Sequence, residues 1–187
     1  MEVAIGILKY LSNTPDHGIT YTFSTKPLIG YCDSDHAACL ITRKSTTGFV
    51  FLNQGGAISW ASKIQASATA LSTTEAEFMA ATSAAQEGMW LRKLQHSVTG
   101  TVPPDLTING DNQAALSAWN QEKLFSRLKH METRFYFLKE QSKKEGIKLN
   151  WIPTAANMSD MLTKALPRAK FCDFRDKIGC IGKLKLD

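Results

Sequence analysis

Apolar and polar positions alternate along the first third of the chain in a pattern typical of short strands. Residues 28–35, LIGYCDSD, begin apolar and end in two acids, which predicts a strand with carboxylates at its far end. Residues 48–52 predict a second strand, and NQGG at 53–56 is typical of a hairpin turn before a third strand at 57–61. Residues 28–61 therefore predict a three-stranded antiparallel meander.

Helical spacing of apolar residues then alternates with short strands along the chain. Residues 71–95 predict a long helix, and both Ser72 with Glu75 and Thr74 with Glu77 fit a capping box at its start. The later elements are a strand at 106–110, helices at 112–119 and 130–145, a strand at 147–152 and a short helix at 157–164. This order predicts an α/β fold in which helices cover a mixed sheet.

Both ends of the chain extend beyond this core. Residues 3–11 have helical spacing and residues 19–23 alternate as a strand, but a segment of this size is too small to fold alone. One further helix and a basic end follow residue 167. We therefore predict an arm at 1–24, one domain at 25–167 and a tail at 168–187.

Composition narrows the class of protein. The 187 residues carry a net charge of +5 at pH 7, which agrees either with ordinary solubility or with a polyanionic partner. No run of about 18 apolar residues is present, so no membrane span is expected. The four cysteines lack zinc-site spacing and predict reduced thiols in an intracellular protein.

Four acids are candidates for chemistry because of where the predicted elements place them: Asp33, Glu77, Asp111 and Asp160. Asp33 and Asp111 stand at the carboxyl ends of predicted strands, where the sites of such sheets lie. On the long helix, Glu77 shares a face with small residues and is predicted to point inward. Glu75 shares a polar face and is predicted to point to solvent.

Each acid also has a purely structural interpretation. Glu77 could be the capping partner of Thr74, Asp111 could cap the helix that follows it, and Asp160 could be a surface acid. Four converging acids, however, would repel one another unless cations lay between them. Oxygen-only ligands suit Mg²⁺ or Mn²⁺, and a pair of such ions is a known device for cleaving phosphodiesters.

Seven stretches in a fixed order carry a resemblance to a known family. They are GYCDSDHA, RKSTTGFVF, ISWASK, LSTTEAEFMA, GDNQAAL, KHMETRFYFLKE and WIPTAANMSDMLTKALP. The sequence resembles the ribonuclease H domain of copia-type LTR retrotransposon polyproteins. The opening, ILKYLSNTPDHGITY, resembles the end of the reverse transcriptase that precedes this domain in the polyprotein.

The resemblance implies a ribonuclease H-like fold, with a mixed five-stranded sheet and helices on both faces. It also implies an endonuclease that cleaves the RNA strand of RNA–DNA hybrids during reverse transcription, leaving 5′-phosphate and 3′-hydroxyl ends. The family's acids fall on Asp33, Glu77, Asp111 and Asp160. By analogy, Asp33 would bridge two Mg²⁺ or Mn²⁺ ions, one shared with Asp160. The other ion would be shared with Glu77 and Asp111, and a reverse transcriptase would be the partner within the polyprotein.

Two departures from cellular ribonucleases H leave an alternative open. The loop before the last acid, PTAAN at 153–157, has no histidine, and the sequence has no long basic insertion. A catalytically weak or inactive module, which only binds hybrid or braces a polymerase, is therefore the alternative to an active ribonuclease.

Further residues are candidates for contacts with the hybrid. For each of them the alternative interpretation is a polar side chain that only faces solvent. Basic and hydroxyl side chains can bind phosphates without sequence preference, and amides beside Asp111 can contact 2′-hydroxyls. The phosphate candidates are Arg43, Lys44, Ser45, Arg127, Lys129, His130 and Arg134, and the amide candidates are Asn112 and Gln113. The tryptophans Trp60, Trp90, Trp119 and Trp151 are predicted to lie in the core.

Overall fold

A five-stranded mixed sheet forms the centre of the molecule, with strand order β4-β3-β2-β5-β6. The computed structural model describes residues 2–23, 26–39, 41–65, 70, 72–120 and 139–182. The strands of this sheet are β2 (Ile29–Asp35), β3 (Thr46–Asn53), β4 (Gly56–Ile64), β5 (Leu106–Gly110) and β6 (Ile147–Trp151). The prediction of an α/β fold with a mixed five-stranded sheet is confirmed.

Helices cover both faces of this sheet. The helices of the described chain are α1 (Glu2–Asn13), α2 (Thr73–Thr99), α3 (Gln113–Asn120), α4 (described over residues 139–144) and α5 (Arg168–Lys177); α1 is exposed along its length and is not part of this cover. Two 3₁₀ segments, Thr154–Ala156 and Met158–Leu162, replace the single helix predicted at 157–164, because the Asn157 side chain accepts the Ser159 N–H and starts a new turn. Among the described residues, no helix combines the length and apolar character needed to span a membrane.

The antiparallel half of the sheet consists of β2, β3 and β4, as predicted. Asn53 pairs with Gly56 across the turn between β3 and β4. The two turn residues, Gln54 and Gly55, have φ angles of 52° and 77°. Positive φ at both positions is type I′ geometry, which matches the twist of the strands and sets the register next to the turn. A bulge between Phe51 and Leu52 shifts the register along the rest of the pair.

The parallel half of the sheet determines where the site lies. β2 pairs in parallel with β5, and β5 pairs in parallel with β6. Because parallel strands end at the same edge of a sheet, side chains at the carboxyl ends of β2 and β5 are brought together there.

Each face of the sheet has its own hydrophobic core. On one face, Phe51 packs with Phe78 of α2. On the other, Val50 packs with Met158 and with Phe174 of α5. Neighbouring residues of β3 therefore belong to different cores, which explains why this central strand is apolar at consecutive positions.

Three of the four tryptophans lie outside the core, contrary to the prediction. Trp119 is buried and its ring packs near that of Phe78. Trp60, Trp90 and Trp151 are 53%, 55% and 46% exposed. Trp60 and Trp151 lie on β4 and β6, the two edge strands, where part of each strand faces solvent.

A second, small antiparallel sheet joins β1 (Gly18–Ile19) to β7 (Cys180–Ile181). The sequence did not predict this pairing, and β1 is shorter than the strand expected at 19–23. The small sheet lies against the hairpin turn, since a Cβ on Gly179 would be 2.8 Å from the Gly55 carbonyl oxygen. Segments from both ends of the described chain are therefore in contact with the β3–β4 hairpin.

Candidate metal centre

Carboxylates from three separate elements meet at one edge of the sheet. Asp33 is in β2, Asp111 follows β5, and Asp160 lies in the 3₁₀ segment Met158–Leu162. One carboxylate oxygen from each lies within 4.8 Å of the other two. Asp33 and Asp160 are 2% and 0% exposed, whereas Asp111 is partly exposed. Three of the four predicted acids therefore form one cluster.

The parallel pairing of β2 and β5 brings Asp33 and Asp111 together. Tyr31 is opposite Asn109 in the register, so each acid stands two residues further along its own chain segment. Asn112, rather than Asp111, caps α3, because its Oδ1 accepts the backbone N–H three residues later at 2.9 Å. The start of α3 therefore does not depend on the Asp111 carboxylate.

Asn157 joins the segment that carries Asp160 to β2. This fully buried amide donates from Nδ2 to the Cys32 carbonyl at 3.0 Å, and its Oδ1 accepts the Ser159 N–H at 3.3 Å. Cys32 precedes Asp33 and Ser159 precedes Asp160, so one side chain sets the spacing of two acids. No sequence pattern predicts this role, because a single asparagine in a loop is compatible with many roles.

The fourth predicted acid, Glu77, is within electrostatic reach of the cluster. Desolvation, followed by the charges of Asp33 and Asp111, raises the pKa of Glu77 to about 8, against hydrogen bonding from Ser34. Desolvation also raises the pKa of Asp33 to about 6, although a hydrogen bond from Thr163 opposes the shift. Both pKa shifts arise mainly because burial disfavours the charged form of the carboxylates, and the charges of neighbouring acids add to the shift.

Glu75 is buried, so the prediction that it faces solvent is wrong. It is 5% exposed in the first turn of α2, where Ala76 and Phe78 are also buried. The start of the helix is therefore covered on more than one side, and helical phase alone could not assign the exposed face. The predicted cap at Ser72 is present, since its Oγ accepts the Glu75 N–H at 3.2 Å.

Two lysines that the sequence reasoning missed lie against the acids. Lys164 Nζ is 3.0 Å from Asp160 Oδ1 and 3.8 Å from Asp33 Oδ2. Lys170 Nζ, from α5, is 2.6 Å from Asp160 Oδ2. The spacing of four residues between Asp160 and Lys164 was an available signal for an ion pair. Lys170 is on a separate helix, and no sequence pattern links it to Asp160.

The chemistry of the donor set fits a hard divalent cation. The clustered ligand atoms are all carboxylate oxygens, which is the preference of Mg²⁺ and Mn²⁺, and no cysteine or histidine belongs to the cluster among the described residues. Asp33, Asp111 and Asp160 would be the principal ligands, with Glu77 beside them. The raised pKa values of Asp33 and Glu77 are the expected property of carboxylates that a cation would neutralise.

Over nearly its whole length, the chain is similar to a plant transposon protein. It is 38% identical over 178 residues to the retrovirus-related Pol polyprotein from transposon TNT 1-94 of Nicotiana tabacum. The match covers 95% of this chain but 13% of the polyprotein, so the chain corresponds to a small part of that relative. No protein-family model matches the chain.

Solved structures of a ribonuclease H share the architecture. LC11-RNase H1, isolated from compost, has a TM-score of 0.55 and 15% identity, over 73% of this chain and 92% of that chain. The same protein in complex with an RNA/DNA hybrid has a TM-score of 0.53 and 17% identity, over 73% and 93% of the two chains. The chain has the ribonuclease H fold and is homologous to transposon Pol polyproteins. The resemblance carried by the seven motifs is thereby confirmed.

In this ribonuclease H-fold chain, the predicted phosphate contacts of the β2–β3 connection differ in accessibility. Arg43 is exposed and has a φ of 53°, and Lys44 is partly buried. Ser45 is 1% exposed, and its Oγ accepts the Ala37 N–H at 3.1 Å. Ser45 therefore holds the connection together rather than facing solvent.

The remaining candidates for hybrid contacts fall into two groups. Gln113 is exposed and Asn112 is partly exposed, and both lie beside Asp111. The side-chain oxygen of Asn112 already accepts a hydrogen bond as the cap of α3, so its amide N–H₂ is the group that remains for a contact. Trp151 is a further neighbour, since its indole N–H donates to the Asp111 carbonyl at 3.1 Å. The basic candidates Arg127, Lys129, His130 and Arg134 lie outside the described residues.

Proposed function

We propose that this protein is a divalent-metal-dependent ribonuclease that hydrolyses the RNA strand of RNA–DNA hybrids. The observation that carries the proposal is the convergence of Asp33, Asp111 and Asp160 at the carboxyl edge of a ribonuclease H-fold sheet. Homology to retrovirus-related Pol polyproteins and the hybrid bound to LC11-RNase H1 support this choice of substrate. In a polyprotein, a reverse transcriptase would produce the hybrid that this domain consumes.

The acids have distinct roles in this proposal. By analogy with the family, Asp33 would bridge two ions, one held with Asp160 and one held with Glu77 and Asp111. Bound Mg²⁺ or Mn²⁺ would lower the pKa of the attacking water and stabilise charge on the phosphate. Asn157 would keep the two buried acids at a constant spacing by its hydrogen bonds to both backbone segments.

A non-catalytic module that only binds hybrid is the second candidate. It is favoured by the ion pairs of Asp160 with Lys164 and Lys170, because they neutralise one acid in the absence of any metal. The loop at 153–157 also lacks the histidine that cellular ribonucleases H carry there for an auxiliary step. Under this alternative, hybrid binding would persist without cleavage.

A cleavage assay distinguishes the two candidates. The purified chain is incubated with a hybrid labelled on its RNA strand, with Mg²⁺, with Mn²⁺ or with EDTA. The expected result is metal-dependent cutting of RNA in the hybrid, with 5′-phosphate products and no cutting of double-stranded DNA. Asp111→Asn is the matched control. An inactive wild-type chain at high protein and Mn²⁺ concentrations, which still retards the hybrid in a gel, would favour the binding module.

A further inference from the structure

We propose that Lys164 is a resident cation that competes with divalent ions for the Asp33–Asp160 edge of the metal centre and thereby lowers its metal affinity. This inference rests on the proposed function for the presence of a metal. Lys164 Nζ lies 3.0 Å from Asp160 Oδ1 and 3.8 Å from Asp33 Oδ2. One ammonium group therefore contacts the two buried acids that an ion would share.

The buried acids require positive charge whenever no metal is bound. Asp33 and Asp160 are 2% and 0% exposed, and a buried carboxylate without a partner destabilises a fold strongly. A lysine ammonium is charged at neutral pH, and the groups that Lys164 Nζ contacts here are two carboxylates. Lys164 therefore stays charged and supplies the missing counter-charge.

The same position is incompatible with close approach of a metal ion. A divalent ion held by Asp33 and Asp160 would lie within a few ångströms of the Lys164 ammonium, where like charges repel strongly in a partly buried site. The Lys164 side chain is 38% exposed and has a flexible four-carbon stem, so it can move into solvent. Metal binding would thus include the work of displacing this side chain.

Lys170 differs from Lys164 in a way that identifies the competing group. Lys170 pairs with the other oxygen of Asp160, Oδ2, and its ammonium lies 5.0 Å from the centre of the Phe174 ring on the same helix. This second contact holds Lys170 in place, and within the described part of the chain its ion pair is with Asp160 alone. Lys170 therefore anchors α5 to the centre, whereas Lys164 is the group that reaches both acids.

The test compares metal affinity and metal-free stability in Lys164→Gln and wild type, with Mn²⁺ alone as the titrant in calorimetry. Removal of the competing charge should tighten Mn²⁺ binding on the order of tenfold, a size typical of groups adjoining a metal site. In EDTA, Lys164→Gln should melt at a lower temperature than wild type. Saturating Mn²⁺ should raise the melting temperature of the variant by more than that of wild type.

Lys148→Gln is the matched control because it also removes one lysine from a lysine–aspartate pair. Lys148 Nζ is 2.6 Å from Asp105 Oδ2, and Asp105 precedes β5, at the opposite end of that strand from Asp111. The control should leave Mn²⁺ affinity unchanged. A conservative variant, Lys164→Arg, keeps the charge and should not tighten Mn²⁺ binding; it also provides a test if Lys164→Gln does not fold.

Two results would overturn the inference alone, and a third would overturn it together with the proposed function. Equal or weaker Mn²⁺ affinity in Lys164→Gln, alongside measurable binding by wild type, would reject competition while leaving the proposed function intact. Tighter Mn²⁺ binding by Lys164→Arg would also reject it. If no variant and no wild-type sample bound Mn²⁺, the metal-dependent function itself would fail along with the inference.

Discussion

Gly48 stands directly opposite Asp33 in the antiparallel pairing of β2 and β3, and its missing side chain leaves the space into which the Asp160 segment packs. A Cβ on Gly48 would lie 2.6 Å from Thr163 Cγ2 and 3.1 Å from the Ser159 carbonyl oxygen. Two acids distant in sequence can approach one another because a glycine lies beside one of them.

Gly48→Ala adds one methyl group, and we expect this small change to disturb the geometry of the metal centre strongly. The added methyl must push the 3₁₀ segment outward and move Asp160 away from Asp33. We expect a stability loss of about 1–3 kcal/mol in urea unfolding and a fall in hybrid cleavage on the order of 100-fold. Gly6→Ala is the control, since a Cβ there meets no atom within 4 Å. Equal cleavage by both variants would contradict the packing argument.

Asp111→Asn should abolish cleavage without unfolding the protein. Asp111 is partly exposed and does not cap α3, because Asn112 does so. We expect a loss on the order of 1,000-fold in cleavage rate, equivalent to about 4 kcal/mol of transition-state stabilisation. Circular dichroism and the melting temperature in EDTA should match wild type. A variant that still cut hybrid at the normal rate would exclude Asp111 from the chemistry.

Glu77→Gln and Glu75→Gln should have opposite effects on stability, and Glu77→Gln alone should reduce activity. Glu77 lies near Asp33 and Asp111, which help to raise its pKa to about 8. Neutralising it should raise metal-free stability at pH 8 by about 1 kcal/mol and reduce cleavage by about 100-fold or more. Glu75 is buried in the first turn of α2, so Glu75→Gln should cost about 1–3 kcal/mol with little effect on cleavage by the folded fraction. Similar cleavage losses in the two variants would contradict these roles.

The metal-free protein should become less stable as pH rises. Asp33 and Glu77 have pKa values raised to about 6 and about 8, whereas an unfolded chain has ordinary carboxyl pKa values. Their stabilising contribution is fully present below the ordinary carboxyl pKa, near 4, and is lost as pH rises through about 6 and then about 8. Urea unfolding in EDTA should show a loss on the order of 2 kcal/mol between about pH 5 and about pH 8.5.

Saturating Mn²⁺ should reduce that pH dependence, because a bound cation compensates the ionised acids. Glu77→Gln should remove the upper part of the decline and keep the lower part. If the stability of the metal-free protein did not change with pH, the pKa values of Asp33 and Glu77 would not be raised in the folded state, and the prediction would be wrong.

The central strands could be predicted from the sequence because local pattern and tertiary environment agree there. β2 and β3 are apolar runs buried in the middle of the sheet, and the NQGG turn permits one tight hairpin. Asp33 and Asp111 could also be predicted, since strand ends in a parallel pair meet at one edge. Where neighbours along the chain decide the structure, the sequence was sufficient.

The remainder of the site depends on contacts that no local pattern encodes. Lys170 and Asn157 act through partners in other segments, and Asn157 contacts Cys32, which is 125 residues away. Helical phase predicts that Glu75 faces solvent, but the fold buries the first turn of α2 on more than one side. Their positions on apolar faces predict that Trp60 and Trp151 lie in the core, but both lie on edge strands, whose exposure depends on sheet order.

The pairing of β1 with β7 has a mechanical consequence. Gly18 is opposite Ile181, so the chain enters and leaves this small sheet at the same end. Tension applied through the flanking segments would therefore peel the two strands apart one hydrogen bond at a time, instead of shearing them. Such tension would separate β1 from β7 at low force. The strands that carry the carboxylates would bear no load while these two strands separate.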